Sequence, residues 1–271
     1  MPRALRLDLD ALSFNGAIGF VGAVAVFFLV APTIIVVLTS FTSSAALRFP
    51  PDGYSLRWYL ALVDADQMQR AALTSLVVAS LATAGSVVLG ATAALGLASV
   101  RGRWMRAIDA LFMSPLLLPA LAFGFAGLIF FNLVGYGLSL PTLIIGHVVV
   151  CVPFVVRTTL AALTQLDPAL IEASRSLGAG WFYTVRRVTL PIIARGVGAG
   201  AFLAFMASFD NVPVSLFLSD ARTEVLPIHL WEIIETNLDV RTAAASGVLI
   251  VFTVVVMVVA ERFAGLSKQL R

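Results

Sequence analysis

Long apolar runs dominate this chain and restrict the folds that it can adopt. Each run extends over about twenty residues or more, which as a helix is long enough to cross roughly 30 Å of hydrocarbon. Backbone amides in a bilayer core must find partners inside their own helix, because no water reaches them. The sequence therefore predicts an all-α, polytopic membrane protein in which residues 1–271 form one transmembrane domain. The six predicted transmembrane helices lie at approximately residues 17–40, 72–99, 107–132, 139–163, 192–219 and 242–263.

Basic residues are distributed unevenly between the two sides of such a bundle. With an even number of spans both termini share one side, and most of the 18 lysines and arginines fall there. Cytoplasmic loops of membrane proteins are enriched in these residues, so we expect both termini to be cytoplasmic. This distribution explains the net charge of +3 without a nucleic-acid partner. The outer face is acidic overall, which would suit a cationic ligand or a basic docking partner, or would simply keep the loops solvated.

Small residues and prolines predict how the spans pack. Small side chains recur at every fourth position in two spans, which lets helix backbones approach closely. The prolines in "MSPLLLPALAFG" and "CVPF" predict kinks in the third and fourth spans, since proline removes a helical hydrogen bond. The two series of small residues are Ala82, Ser86, Gly90, Ala94 and Ala98, and Gly196, Gly200, Ala204 and Ser208.

A polar interruption at approximately 164–191 separates the fourth and fifth apolar runs, on the predicted cytoplasmic side. Asp167 and Pro168 are typical of a helix start, as cap and first helical residue. We expect a short helix over 169–177, an end or bend at Gly178 and Gly180, and a second short helix from about 181 to 188. Pro191 would then open the fifth span.

The stretch "EASRSLGAGWFYTVRRVTLP" in this interruption resembles the EAA loop of importer-type ABC transporter permeases. Ser174 departs from the family pattern by standing where a second alanine is usual. The resemblance implies a type I ABC importer fold and a coupling helix that docks on an ATPase subunit. A different reading is a loop that lies on lipid, with Trp181 and Phe182 as anchors. The residues that we expect to serve ATPase coupling are Glu172, Ala173, Ser174, Gly178, Leu190 and Pro191.

The same resemblance implies the partners. They are two nucleotide-binding ATPase subunits that bind ATP and Mg, an extracytoplasmic substrate-binding protein, the lipid of a bacterial inner membrane, and a second permease. The second permease is expected to be a distinct homologous chain, with a homodimer of this chain as the alternative. This chain has no G-x-x-x-x-G-K-[ST] motif and no catalytic motif, so we expect neither enzyme activity nor a cofactor of its own. A secondary transporter or channel is the alternative class, although neither inverted repeats nor intramembrane charge pairs are visible in the sequence.

Two further stretches bear on the substrate. "FTSSAALRFPPDGYSLRWYLAL" and "SFDNVPVSLFLSDARTEVLPIHLWEII" resemble the second permease of spermidine/putrescine-type importers, which implies a polyamine or similar cationic amine. Relatives that import opines or amino-acid derivatives share much of this pattern, so they remain an alternative.

Asp210 is expected in the middle of the fifth span, where a carboxylate costs roughly 2.5 to 3.5 kcal/mol unless it faces water or the bundle interior. Facing a pathway, it would balance an ammonium group while Asn211 adds a hydrogen bond, or it would pair with a group on a neighbouring helix. Glu232 and Glu235 in the outer segment would gather a cation or dock a binding protein, or would simply be solvated. His147 and His229 have no metal-ligand company in the sequence, so no metal site is expected.

Overall fold

A computed structural model describes residues 9–99, 102–237 and 239–264. The chain divides into two compact units. One comprises the residues up to Asp64 together with Ile233–Ile250, and the other comprises Ala65–Glu232 with the residues from Val251. Within the described ranges the α-helices are α1 (Leu9–Ser40), α2 (Arg57–Ala61), α3 (Asp66–Ser99), α4 (Arg103–Leu117), α5 (Ala120–Leu133), α6 (Leu140–Thr164), α7 (Pro168–Ser176), α8 (Trp181–Thr184), α9 (Leu190–Phe209), α10 (Val212–Leu218), α11 (Leu226–Asn237) and α12 (Val240–Ala264).

The helices confirm the all-α prediction. Five of them are long and apolar enough to cross a membrane in the part of the chain that the structure describes, and a bent helix pair brings the number of spans to as many as six. The five are Gly16–Ser40, Asp66–Ser99, Leu140–Thr164, Trp181–Phe209 and Val240–Arg262.

The predicted third span, 107–132, is not one helix. It consists of α4 and α5, which meet at an angle of 101°. Leu118 between them is extended, with φ −79° and ψ 146°. The ring of a proline disfavours helical geometry in the residue before it, and Pro119 follows Leu118. Pro153, in contrast, lies inside α6, which continues as one helix from Leu140 to Thr164.

The predicted fifth span, 192–219, differs from the observed helices at both ends. Helical structure begins at Trp181 rather than at Pro191 and runs to Phe209, and α10 follows after a break at Asp210 and Asn211. A π-helical turn, Val185–Thr189, precedes Pro191, and the Leu190 amide donates to the Val185 carbonyl there. Proline has no amide hydrogen and its ring crowds the carbonyl four residues earlier, so a wider turn lets the helix pass this point without ending.

The second unit is built on α3, α6 and α9, which pack along the predicted small-residue stripes. Ser86 Oγ donates to the Val148 carbonyl at 3.3 Å. A Cβ atom at Gly90 would lie 2.8 Å from Cβ of Val155, and one at Gly200 would lie 2.8 Å from Cα of the same valine. The stripes are therefore contact surfaces, except at Ala98, which is exposed.

The first unit is held by polar contacts after α1. The Ser40 and Tyr59 hydroxyls are 2.7 Å apart, and Trp58 Nε1 donates to the Ser44 carbonyl at 3.1 Å. The Ser43 amide donates to the Gly53 carbonyl at 2.9 Å, which folds the intervening segment back on itself. These contacts order the segment that the sequence placed after the first span.

Candidate functional site

The polar interruption folds as predicted at its start. Asp167 Oδ1 accepts the Ala169 amide at 2.9 Å, and Pro168 is the first residue of α7. Such a cap satisfies one of the free amides at a helix N-terminus. The sequence signal for the first short helix is therefore confirmed.

Gly178 ends α7 through a tight backbone turn. Its φ is +85°, in the left-handed region that glycine adopts without steric cost. Its amide donates to the Arg175 carbonyl at 2.9 Å, and the Ala179 amide donates to the Ser174 carbonyl at 3.1 Å. This pair of bonds is the Schellman pattern, which satisfies the last carbonyls of a helix. The direction of the chain after α7 thus depends on Gly178.

A side-chain hydrogen bond joins the two arms of the loop. Ser174 Oγ, on α7, lies 3.0 Å from Thr184 Oγ1, on α8. Thr184 is only 3% exposed, so this bond lies on the inner side of the turn. Sequence reasoning missed Thr184, because two residues ten apart across a bend carry no periodic signal. Ser174, the departure from the family pattern, thus has a structural role in this chain.

The outer side of the loop is apolar and exposed. Leu177 is 88% exposed, and Glu172 and Ala173 on α7 are exposed beside it. Exposed apolar patches of this kind mark interaction surfaces. Leu190 and Pro191 lie farther on, at the π turn, where they shape the helix. The large apolar residues exposed on the loop are Leu170, Leu177, Trp181, Phe182 and Tyr183.

Asp210 does not lie in the middle of a continuous span. It is the C-cap of α9, at the break before α10, and its side chain is exposed. Asn211 caps α10, since its Oδ1 accepts the Val214 amide at 2.9 Å. The salt bridges found within the described ranges join other residues, so Asp210 has no ion-pair partner there. The Asp210 carboxylate at the break is therefore accessible to a cation, whereas the side-chain oxygen of Asn211 already accepts the Val214 amide.

His147, which the sequence did not select, spans this break. Its Nδ1 is 2.8 Å from Ser208 Oγ at the end of α9, and its Nε2 is 3.1 Å from Ser215 Oγ in α10. The imidazole is almost completely buried, at 1% exposure. One side chain of α6 therefore positions both helices that flank Asp210.

Close glycine contacts fix α10 from two other helices. A Cβ atom at Gly124 of α5 would lie 2.5 Å from the Pro213 carbonyl oxygen. A Cβ atom at Gly146 of α6 would collide with Leu218, which is 1% exposed. The short helix after Asp210 is thus part of the packed core of the second unit.

The remaining candidates lie on α11. Glu235 is exposed there and belongs to the first unit, whereas Asp210 belongs to the second. His229 differs from the sequence expectation, because its Nδ1 lies 3.0 Å from Glu224 Oε1 and Glu232 is close by. The sequence did not predict these neighbours of His229, because its spacing does not show that the loop before α11 folds back onto the helix.

Comparison with known proteins identifies the class. The family profile "Binding-protein-dependent transport system inner membrane component" matches residues 67–267. The chain is 29% identical over 248 residues, 91% of its length, to the spermidine/putrescine transport system permease protein PotC of Escherichia coli K12, of which 92% is covered. It is 29% identical over 231 residues to the putrescine transport system permease protein PotI of the same strain, with 82% of each chain covered.

Solved structures show the same fold. A bacterial ABC transporter involved in the import of alginate superposes with a TM-score of 0.76 at 15% identity, covering 97% of this chain and 99% of that one. The MetNI methionine ABC transporter gives a TM-score of 0.61 at 20% identity, covering 73% and 94%. The chain therefore belongs to the family of binding-protein-dependent transport system inner membrane components, and it is a permease subunit of an ABC importer.

Proposed function

We propose that this permease moves polyamines such as spermidine or putrescine, or similar cationic amines, into the cell. The observation that carries this proposal is the 29% identity to a spermidine/putrescine permease, which extends over 91% of this chain and 92% of that relative. The open carboxylate of Asp210 supports it, because an ammonium group is the natural partner of an unpaired carboxylate in a membrane protein.

The importer requires other subunits. Permeases of this class work with a second permease, ATPase subunits and a periplasmic binding protein in the bacterial inner membrane. Within that scheme we propose two ATPase subunits that bind ATP and Mg, a second permease that is a distinct homologous chain, and both termini of this chain in the cytoplasm. ATP binding would then close the ATPase pair and switch the permeases between outward and inward access.

The loop at approximately 164–191 would transmit this closure. Its exposed apolar surface suits burial in a groove of the ATPase, and the exposed Glu172 adds a charge-assisted contact. The Ser174–Thr184 bond and the turn at Gly178 support this role, since a force is transmitted best through a loop whose two arms are fixed to each other.

The break at Asp210 would line the pathway. His147 and the two serines hold the ends of α9 and α10, so the carboxylate between them has a defined position. We propose that Asp210 balances a substrate ammonium there, and that Asn211 contributes by capping α10 rather than by direct contact. Glu235, exposed on α11, would gather cations at the outer side.

ATP-driven uptake by the reconstituted importer tests the proposal. The complete complex in proteoliposomes, with its binding protein outside, is given radiolabelled spermidine, putrescine, an opine and an amino acid in separate experiments. We expect ATP-dependent uptake of the two polyamines, with the opine and the amino acid at background. Uptake of an opine or amino-acid derivative without polyamine uptake would establish the alternative substrate class.

A further inference from the structure

Three metal-ligating side chains meet at the start of α11. They are Glu224, His229 and Glu232, and their ligand atoms all lie within 4.8 Å of one another. His229 and Glu232 are three residues apart on α11, so they share a helix face. Glu224 precedes the helix by two residues and is brought back to that face. None of these residues belongs to the coupling loop or to the break at Asp210.

Backbone anchoring explains why the three converge. The Leu226 amide donates to Ser75 Oγ of α3 at 2.8 Å, which fixes the first residue of α11 to a membrane helix. The His229 and Ile228 amides both donate to the Val225 carbonyl at 3.1 Å. Val225, Leu226 and Ile228 are buried, at 3%, 4% and 6% exposure. The scaffold of the cluster is therefore part of the packed second unit rather than a mobile loop.

Two of the three ligands are already held in place. His229 is 8% exposed, and its Nδ1 donates to Glu224 Oε1 at 3.0 Å. Gln67 Nε2 of α3 donates to the other oxygen, Glu224 Oε2, at 3.3 Å. This amide is the kind of outer contact that orients a metal-binding carboxylate. Glu232 is exposed and offers the third ligand atom, within 4.8 Å of the other two.

We propose that Glu224, His229 and Glu232 form a site for a divalent transition-metal cation, with Zn²⁺ as the ion that fits the donor set best. Zinc takes imidazole nitrogen and carboxylate oxygen at about 2.0–2.2 Å, which in a tetrahedron places neighbouring ligand atoms about 3.3 Å apart. The separation between His229 Nδ1 and Glu224 Oε1 is close to that value. Two carboxylates and a neutral imidazole balance the charge of the ion, and water would complete the coordination.

An adjoining cavity provides access and also limits the affinity. It has a volume of about 350 Å³ and is lined by Glu224, Gln67, Arg70 and Arg222, among others. The two guanidinium groups repel a cation that enters through the cavity. Three protein ligands beside two arginines suit a site that exchanges its ion, rather than a permanent structural zinc with four protein ligands.

The functional consequence concerns the segment before α11. A bound ion would tie Glu224 to α11 through coordination bonds instead of a single hydrogen bond. Under the proposed orientation this segment lies on the outer face, where the binding protein arrives. The site would thus stabilise one conformation of that face, independently of which solute the importer carries.

Zinc titration of the purified importer without nucleotide tests the inference. Isothermal titration with Zn²⁺ reports both the stoichiometry and the affinity of binding. Glu232→Gln is the main variant, because an exposed side chain does not threaten folding, and His229→Gln and Glu224→Gln follow. Asp66→Asn is the matched control, since it removes an exposed carboxylate of α3 in the same unit.

We expect wild-type importer and Asp66→Asn to bind one more equivalent of Zn²⁺ than Glu232→Gln, or to bind it at least tenfold more tightly. Co²⁺ should give visible absorption bands of a nitrogen-oxygen site that the same variants abolish. Equal binding by wild type and all three cluster variants would overturn the proposal. Spermidine binding that depends on these residues, with no zinc binding, would also overturn it, because the site would then be an amine site.

Discussion

Ser174 Oγ on α7 and Thr184 Oγ1 on α8 lie 3.0 Å apart, across the bend at Gly178. Each hydroxyl belongs to a different arm of the coupling loop, and Thr184 is buried. The bond ties the two short helices to each other. Under the proposed coupling role, a displacement of α7 by an ATPase subunit would reach the fifth span through α8 with little bending of the loop.

Removing one partner of this bond should cost more than removing both. Ser174→Ala leaves the buried Thr184 hydroxyl without its partner, and an unsatisfied buried group costs about 1–3 kcal/mol. The double variant Ser174→Ala/Thr184→Val replaces the pair with apolar groups and should recover much of that loss. Hydrogen exchange of the peptides covering 168–189 measures the effect. Strictly additive effects of the single variants would contradict the proposed coupling of the two arms.

Gly178→Val should uncouple ATP hydrolysis from transport. At φ +85° a β-branched residue is strained, and a residue with a side chain pays about 1–2 kcal/mol in this region. No atom lies within 4 Å of the position that a Cβ would take, so the effect comes from the backbone alone. Gly180→Ala is the matched control, because its φ of −68° suits any residue and its surroundings are equally open. Normal ratios of transport to ATP hydrolysis in both variants would argue against the turn as a coupling element.

Glu172→Ala should lower substrate-stimulated ATPase activity and transport together by roughly ten- to a hundredfold, because a hydrogen bond to a charged group contributes about 1.5–3 kcal/mol. The side chain is exposed, so assembly of the complex should be unchanged. Ser176→Ala, which alters an exposed residue of the same helix, serves as the comparison. ATPase assays with substrate-loaded binding protein give the measurement. Wild-type stimulation in Glu172→Ala would favour a loop that lies on lipid.

Asp210→Asn should reduce amine uptake more than tenfold while the complex still assembles. The substitution keeps the size of the side chain and removes only its charge. Asp64→Asn, which neutralises another exposed carboxylate, should transport normally. Initial uptake rates of labelled spermidine in proteoliposomes decide the question. Unchanged uptake would mean that Asp210 serves only to end α9.

His147→Leu should destabilise the second unit and impair transport. The change leaves the hydroxyls of Ser208 and Ser215 without the imidazole, and each buried hydroxyl left unsatisfied costs about 1–3 kcal/mol. Thermal unfolding of the detergent-solubilised chain measures the loss. Ser208→Ala/Ser215→Ala removes the partners instead and should also loosen α10. A wild-type unfolding temperature in both variants would show that the break does not depend on this bridge.

The helices were predictable because their signal is local, whereas the breaks within them were not. Apolar length marked α1, α3, α6 and α12 closely, and the cap at Asp167 marked α7. The bend at Leu118 interrupts an apolar run without altering its hydropathy, and Asp210 and Asn211 form only a short polar interruption of the next run. The prolines in "MSPLLLPALAFG" predicted a kink, but not the size of the bend, which is 101°.

The same difference between local and distant signals applies to the site residues. Gly178 could be identified from the sequence because its role depends on its own backbone conformation. His147, Thr184 and the Glu224 cluster act through partners that are distant or lie across a turn, and no spacing rule connects them. The charge of Asp210 identified it as a candidate, but the residue lies at a helix break rather than in the middle of a span.

The π turn at Val185–Thr189 has a consequence for the rotation of the coupling loop about the fifth helix. Each residue in an α-helix advances the chain by about 100° around the axis. The extra residue in the π turn therefore sets the angular phase between Trp181 and the face of α9 that packs in the bundle. One residue more or fewer between Gly178 and Pro191 would swing the exposed aromatic surface to another side of the axis, although every motif residue remained present.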